Sequence, residues 1–461
     1  MSPSTAFALG GLGGNNAHSA GFLAAAQELQ RQRRQGGHPD ARGDGSVSAV
    51  GADAARRRDC LDILPELEFV SCTSGTIASV VTYLKGEDVR AATGRGIAAI
   101  DAVNFLPRNA FTDTWRPFGI MLFTGVPGVF GPWVQAFARH LTERVIGFVN
   151  PKSPYFGAVP TTIDEFADLW LPARAFVPER PPEFFDDAAR VLADDDHAHG
   201  VGVAFNSFDP KTGLEQLYVN SAGLEQIKKR YDEAAAYGRA HGHTTYQKVT
   251  PDAVRNALWL FYYGFPADEL GDRYVDGAYA RSIILNELTG SKRIYAVKPV
   301  NDRWLGRLPQ NQFEISDMQT EFWMEASYRE QYRLIETIND LLAAGRLHET
   351  IHPATEPSGR DENAGVTDRR LDRVRAKEYA KLELIPVEIT MQRGYFTYFV
   401  ENREVFQDAY GQSLRLLLQH DEDDAHRPPE QASVLAPATP AAATPGPSPS
   451  TSKPSTANTT T

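Results

Sequence analysis

Cysteine is nearly absent: Cys60 and Cys72 are the two in 461 residues. Two thiols cannot staple a disulfide scaffold, and such sparing use fits a reducing compartment, so a cytoplasmic location is expected. Basic charge is the minority sign, with 47 Lys and Arg against 59 Asp and Glu and a formal net charge of −12. Binding a phosphate backbone demands a concentrated positive field, which excludes nucleic acid as the main partner. The same sign offers no electrostatic attraction to an anionic bilayer. Long apolar runs are missing as well. The uncharged stretch nearest to membrane length, residues 117–137, contains Pro117, Pro127, Pro132 and four glycines. These interrupt a spanning helix, so the stretch is read as a buried or interface-seeking segment. The small apolar residues at 6–26 have no basic leader and carry GGLGG in their middle. They are read as part of the fold and not as a signal peptide.

What is present suits a globular chain. Apolar residues make up 42% and charged residues 23%, enough material for one large core or two smaller ones. Residues 427–461 are mostly Pro, Ala, Ser and Thr, cannot bury enough surface to offset ordering entropy, and are expected to form a disordered tail. Residues 34–58, rich in Gly, Asp, Arg and Ala, are expected to be a flexible insertion. Between these limits, strand-like runs alternate with helical patterns. Residues 6–9 lead through glycines into a helix over 17–33, and 67–72 lead through Gly75 into a helix ending near Leu84. Residues 201–208 and 216–220 flank a turn at 210–213 and read as a hairpin. Thr250-Pro251-Asp252 has the chemistry of a helix start, and 293–300 reads as a strand. The expectation is an α/β domain over residues 5–300, followed at 301–426 by a mainly helical extension packed on it. In that extension Ser316 and Gln319 form a capping-box pattern with Gly345 as the stop. Further helices are expected at 367–380 and 402–420, around a strand-like segment at 382–390.

Three elements bear on chemistry. In EFVSCTSGTIASV, residues 68–80, a hydroxyl at the end of a buried strand is followed at once by a helix. Such a tight turn exposes the oxygen at the helix N-terminus, whose positive end stabilises the negative charge of acyl transfer. Taken alone, a Ser/Thr cluster in front of a helix reads as an N-cap. In ALGGLGGNNAHSAGFL, residues 8–23, Gly10, Gly11, Gly13 and Gly14 stand between the first strand and the first helix. Glycines there let backbone N–H groups turn toward an anion, which suits an oxyanion hole or a phosphate. The dinucleotide fingerprint is incomplete, because Asn16 holds its third glycine position. In RYVDGAYARSIILNEL, residues 273–288, Asp276 ends a short strand before Gly277 and could serve as general base to a hydroxyl; the plain alternative is an Asp-Gly turn. The pairs His197/His199 and His241/His243 have H-x-H spacing but sit in polar stretches without a third ligand pattern. They are read as solvated loop, and no metal or other cofactor is expected.

In this order and spacing, the three elements resemble the patatin-like phospholipase family over about residues 5–300. The resemblance implies a three-layer α/β/α core and hydrolysis of lipid esters by a hydroxyl/aspartate dyad that needs no histidine. Carried over by position, Gly11, Gly13 and Gly14 stand as oxyanion donors and Asp276-Gly277-Ala278 as the family's D-G-A form. The segment SCTSG departs from the family's G-x-S-x-G. Keeping Gly75 in place favours Thr73 as the nucleophile, whereas the less crowded primary hydroxyl of Ser74 suits a strained turn better than a β-branched residue does. Both hydroxyls stay open at this point. Leu12 also interrupts the triple glycine, and Asn15 stands where the family has a basic residue. The expected activity is therefore lipid acyl hydrolysis, with a lipid ester as substrate and transient contact with a membrane surface. The alternative is a patatin-fold protein that has lost turnover and binds lipid or a protein partner. Nothing in the sequence sets an oligomeric state.

Overall fold

The computed structural model describes residues 4–11, 16–35, 61–103, 142–153, 155–157, 159, 162, 181–194, 196–231, 236–238, 240–241, 244–259, 274–304, 308–310, 312–344, 382–390 and 402–426. Within them the chain runs β1 (Thr5–Leu9), α1 (Asn16–Gln35), β2 (Leu67–Cys72), α2 (Thr76–Leu84), α3 (Val89–Val103), α4 (residues 142–149) and α5 (Pro182–Ala193). It continues with β3 (Gly202–Asp209), β4 (Leu214–Val219), α6 (Ser221–Tyr231), β5 (Ala240–His241), β6 (Thr244–Lys248) and α7 (Pro251–Ala257). The last elements are β7 (Val275–Asp276), β8 (Arg293–Lys298), α8 (Gln312–Ala343), β9 (Glu383–Glu388) and α9 (Asn402–His426). Among the described residues no helix is long and apolar enough to cross a membrane.

The strands form one mixed, mostly parallel sheet in the order β5-β6-β4-β3-β2-β1-β8-β9, with β7 paired to β3 off that path. Strands β3, β2, β1, β8 and β9 run parallel, so their C-terminal ends share one edge. β1 lies at the centre, all five residues buried, and its alternation divides the core. Phe7 and Leu9 face one layer with α1, α2, α5, α7 and α9, while Ala6 and Ala8 face another with α6 and α8. A strand covered on both faces needs apolar residues at every position, as TAFAL provides. The molecule is thus the expected α/β fold with helices on both sides of its sheet.

Local chemistry explains the element ends. Thr250 caps α7 by accepting the Ala253 N–H at 3.1 Å, with Pro251 in the first turn. β3 and β4 form the expected antiparallel hairpin, closed by Gly213 at φ +70° and the Gly213 N–H to Asp209 carbonyl bond of 2.9 Å. Two helix ends move furthest from expectation. α8 starts at Gln312, four residues ahead of the capping-box serine, because nothing in Gln-Phe-Glu-Ile breaks a helix. α9 runs on to His426, where Asp421 and Asp424 of its last turns pair with Arg33 and Arg293. The described part of 301–426 also enters the core itself: β9 pairs with β8 as the sheet's edge strand, and Pro386 is tolerated there because an edge needs no second ladder. Residues 34 and 35 of the expected insertion instead close the last turn of α1, which runs to Gln35, and the rest of it, the 117–137 segment, the helix expected at 367–380, Gly345 and the 427–461 tail lie outside the described residues.

Candidate active site

Thr73, Ser74 and Gly75 turn the chain from β2 into α2 at the C-terminal edge of the sheet. Thr73 extends the ladder by one bond, its N–H donating to the Leu9 carbonyl at 3.2 Å. The Thr76 hydroxyl then bridges back, accepting the Thr73 N–H at 3.1 Å and donating to the Thr73 carbonyl at 2.5 Å. The Thr73 backbone is fixed by these bonds, and its own hydroxyl is buried without a hydrogen-bond partner. Ser74 takes the strained position, with φ +60°; among the described residues Asp62 and His199 are the other non-glycines in that region. α2 begins behind it with Gly75 at its N-cap and no side-chain cap, so the hydroxyl cluster does not serve as an ordinary helix cap. Cys72 beside the turn is fully buried, and burial pushes its thiol far above the usual range, leaving it an inert packing group.

The first glycine loop comes directly against this turn. The Gly10 N–H donates to the Val297 carbonyl at 3.0 Å and ties the end of β1 to β8. A Cβ added to Gly11 would lie 2.8 Å from the Ser74 Cβ and would also overlap the Thr73 carbonyl. Glycine is therefore required at 11 by the close approach of its backbone to the Thr73 carbonyl and the Ser74 side chain. Gly13 and Gly14 lie outside the described residues.

Asp276 arrives from the other side, on the two-residue strand β7, where it pairs with Ser207 of β3. Its N–H donates to the Trp259 carbonyl at 2.8 Å, and its Oδ1 accepts the Ala278 N–H at 2.9 Å. The Asp-Gly turn of the plain alternative is thus present, but it occupies a single carboxylate oxygen. Oδ2 is buried with no strict hydrogen bond, and the Ser74 hydroxyl is the side chain that bears on the carboxyl, in a contact looser than a full bond. Such contacts commonly tighten when substrate binds. Burial pushes the Asp276 carboxyl up to about 7, against the smaller opposing effects of the Ser74 hydroxyl and the Ala278 N–H. Asp276 is fully buried and Ser74 is 4% exposed, so both work in a low dielectric. A hydroxyl at a helix N-terminus beside a carboxyl that titrates near neutrality can carry nucleophilic acyl transfer.

The first histidine pair behaves otherwise, and His243 of the second lies outside the described residues. His197 Nδ1 meets Asp194 Oδ2 at 2.8 Å, while His199 Nε2 meets the Leu84 carbonyl at 2.9 Å, so the two rings serve different partners. Among the described residues no group of three or more His, Cys, Asp or Glu is placed to hold a metal. Sequence reasoning passed over Asn206, Glu215 and Arg281, which gather beneath the Asp276 turn. The available signal was the polar pair Asn206-Ser207 inside the otherwise apolar strand GVAFNSFD.

No family model matches the chain, and no curated protein matches it. Among solved structures it is similar to VipD from Legionella pneumophila, at 13% identity and a TM-score of 0.31, over 91% of this chain and 67% of that one.

Proposed function

We propose that this chain is a lipid acyl hydrolase of the patatin-like type, with Ser74 as nucleophile and Asp276 as its base. One observation carries the choice: a buried Asp276, whose Oδ2 lacks a strict partner, stands beside a serine at φ +60° in front of a helix with no side-chain cap. Thr73 has neither the strained backbone nor a hydroxyl engaged with Asp276. In this scheme the Ser74 proton passes to Asp276 as Oγ attacks the ester carbonyl. The oxyanion is held by backbone N–H groups of the Gly11 loop and the start of α2. Collapse expels the alcohol, which takes the proton from Asp276; water then attacks the acyl-serine with Asp276 again as base, and the second collapse breaks the acyl–Oγ bond, releases the fatty acid and returns the proton to Ser74 Oγ. The lipid nature of the ester follows from the sequence resemblance. It is supported by apolar side chains left exposed on and after α4, among them Val145, Ile146, Phe148, Val149 and Phe156, which suit apolar contact with a lipid surface.

The near-complete burial of Ser74 favours a second reading, a protein of the same fold that binds lipid or a partner without turnover. A fluorophosphonate probe separates the two. Labelling of the wild type at a peptide containing Ser74, lost in Ser74→Ala and kept in Thr73→Ala, is the expected result. An unlabelled wild type, or a Ser74→Ala variant that still labels, overturns the assignment.

A further inference from the structure

Arg281 lies just after the Asp276 turn and is held by two carboxylates at once. Its Nε donates to Glu215 Oε1 at 3.0 Å and its Nη2 stands 3.0 Å from Glu215 Oε2. Its Nη1 donates to both oxygens of Glu287, at 3.1 and 2.9 Å. All three side chains are largely withdrawn from solvent, at 11%, 9% and 6% exposure. Asn206 of β3, fully buried, joins them through Nδ2, which donates to Glu215 Oε1 at 2.7 Å, the Arg281 carbonyl at 3.1 Å and the Gly277 carbonyl at 3.3 Å. The Arg281 N–H donates to the same Gly277 carbonyl at 2.8 Å.

Burying three charges and an amide is costly, and well-packed apolar residues commonly hold a turn with less penalty. What a doubly bidentate guanidinium adds is fixed geometry, since its planar fork admits one arrangement of two carboxylates. Here that geometry is passed to backbone. The carbonyls of Gly277 and Arg281 bracket the single 3-10 turn, Gly277–Tyr279, that follows Asp276, and both are fastened to the Asn206 amide. The fit is close enough that a Cβ on Gly277 would lie 2.6 Å from the Asn206 carbonyl oxygen and would overlap its side chain. Asn206 in turn precedes Ser207, the residue that pairs with Asp276. The cluster does not act on Asp276 as a counter-charge: among the described residues no Lys or Arg pairs with that carboxylate, and burial raises it against the opposing effects of Ser74 and Ala278.

We propose that Arg281, clamped by Glu215 and Glu287 and linked through Asn206 to the Gly277 and Arg281 carbonyls, is a positioning residue that holds Asp276 against Ser74. The proposal rests on the Ser74/Asp276 chemistry above. Small misplacements of a catalytic group are expensive, and an error of about 1 Å can cost roughly 100-fold. The test compares wild type, Arg281→Met, Arg281→Lys and Asn206→Ser for kcat and KM on a short-chain nitrophenyl ester, for the rate of fluorophosphonate labelling, and for thermal midpoint. Arg281→Met should lower kcat at least about tenfold with KM within about twofold, and should slow labelling by the same factor. Arg281→Lys, which keeps the charge but loses the fork, should recover part of that rate. Should Arg281→Met fail to fold, Asn206→Ser leaves the ion pairs in place and should show the kcat loss by itself. Folded variants that melt earlier yet label at the wild-type rate overturn the proposal. A wild type that neither labels nor turns over overturns the Ser74/Asp276 reading itself, and this proposal falls with it.

Discussion

At the N-terminal edge of the sheet, where β1 and β8 begin, Arg293 is 4% exposed and lies 2.7 Å from Asp424 and 2.8 Å from Glu383. Nearby, Arg33 meets Glu66 at 2.9 Å and Asp421 at 2.7 Å. Burial alone would pull both guanidinium groups down, but the surrounding carboxylates outweigh it and hold them above their usual values. At the opposite edge Asp276 is buried more completely, and among the described residues no cation pairs with it. A short distance along the chain, Glu215 and Glu287 share Arg281. Among the described residues these buried charges therefore stand against partners of opposite sign, whereas Asp276 has none and sits beside a serine in a strained backbone conformation. Two local costs at one point, without a structural return, are what the proposed Ser74/Asp276 chemistry accounts for.

The largest effect that tests this contrast is expected from Asp276→Asn. It should lower kcat/KM by about 10²- to 10⁴-fold by removing the base, while the wild-type rate rises with pH through about 7 as the carboxyl ionises. Stability should move the other way. The folded state keeps its proton up to about pH 7, whereas the unfolded chain releases it near pH 4, so folding loses free energy as pH climbs between those values, on the order of 4 kcal/mol at most. Asparagine carries no such loss. The variant should melt above the wild type at pH 8, and the gap should close toward pH 4. Equal melting at pH 8 would mean that Asp276 has a counter-charge after all.

The opposite edge should respond in the opposite sense. Asp424→Asn weakens one of the two carboxylate pairings of Arg293, Glu383 remaining, and should cost about 2 kcal/mol of stability. The rate of labelling at Ser74 should stay at the wild-type level, measured well below the melting transition. A fall in rate alongside stability would show that the two edges are not independent.

Much of this arrangement was legible in the amino-acid sequence. The run LEFVSC is bounded by its own chemistry and forms β2 with the expected ends, and Gly11 after β1 does stand against the following turn. Residues 73 and 74 could not be ranked in that way, because both carry hydroxyls and the local glycine pattern favoured one while side-chain crowding favoured the other. What distinguishes them is tertiary: Asp276 reaches the Ser74 hydroxyl from β7, whereas the Thr73 hydroxyl is buried without a partner. The clamp beneath Asp276 was hidden for a similar reason. Asn206 inside apolar β3 was the one local sign; Glu215, Arg281 and Glu287 are each ordinary in place, and only the β3–β4 hairpin together with the turn after β7 brings the four together. The edge position of β9 was likewise decided by pairing with β8, although Pro386 in the middle of the run was consistent with an edge.

The smallest expected effect probes how Asp276 is anchored. Its N–H is held by the Trp259 carbonyl, two residues beyond the end of α7, and α7 is capped at its far end by Thr250. Thr250→Ala removes the bond to the Ala253 N–H and should cost about 1 kcal/mol, or about 2 °C in thermal midpoint for a chain of this size. Fraying should stay within the first turn of α7, because Leu258 and Trp259 donate to the carbonyls of Val254, Arg255 and Asn256 and so fix the helix end nearer the site. Labelling of Ser74 should then proceed within about twofold of the wild-type rate. A larger fall would place the anchoring of Asp276 in α7 more than in β3 and the Arg281 clamp, and would shift the origin of the site's geometry from the sheet edge to the helix layer.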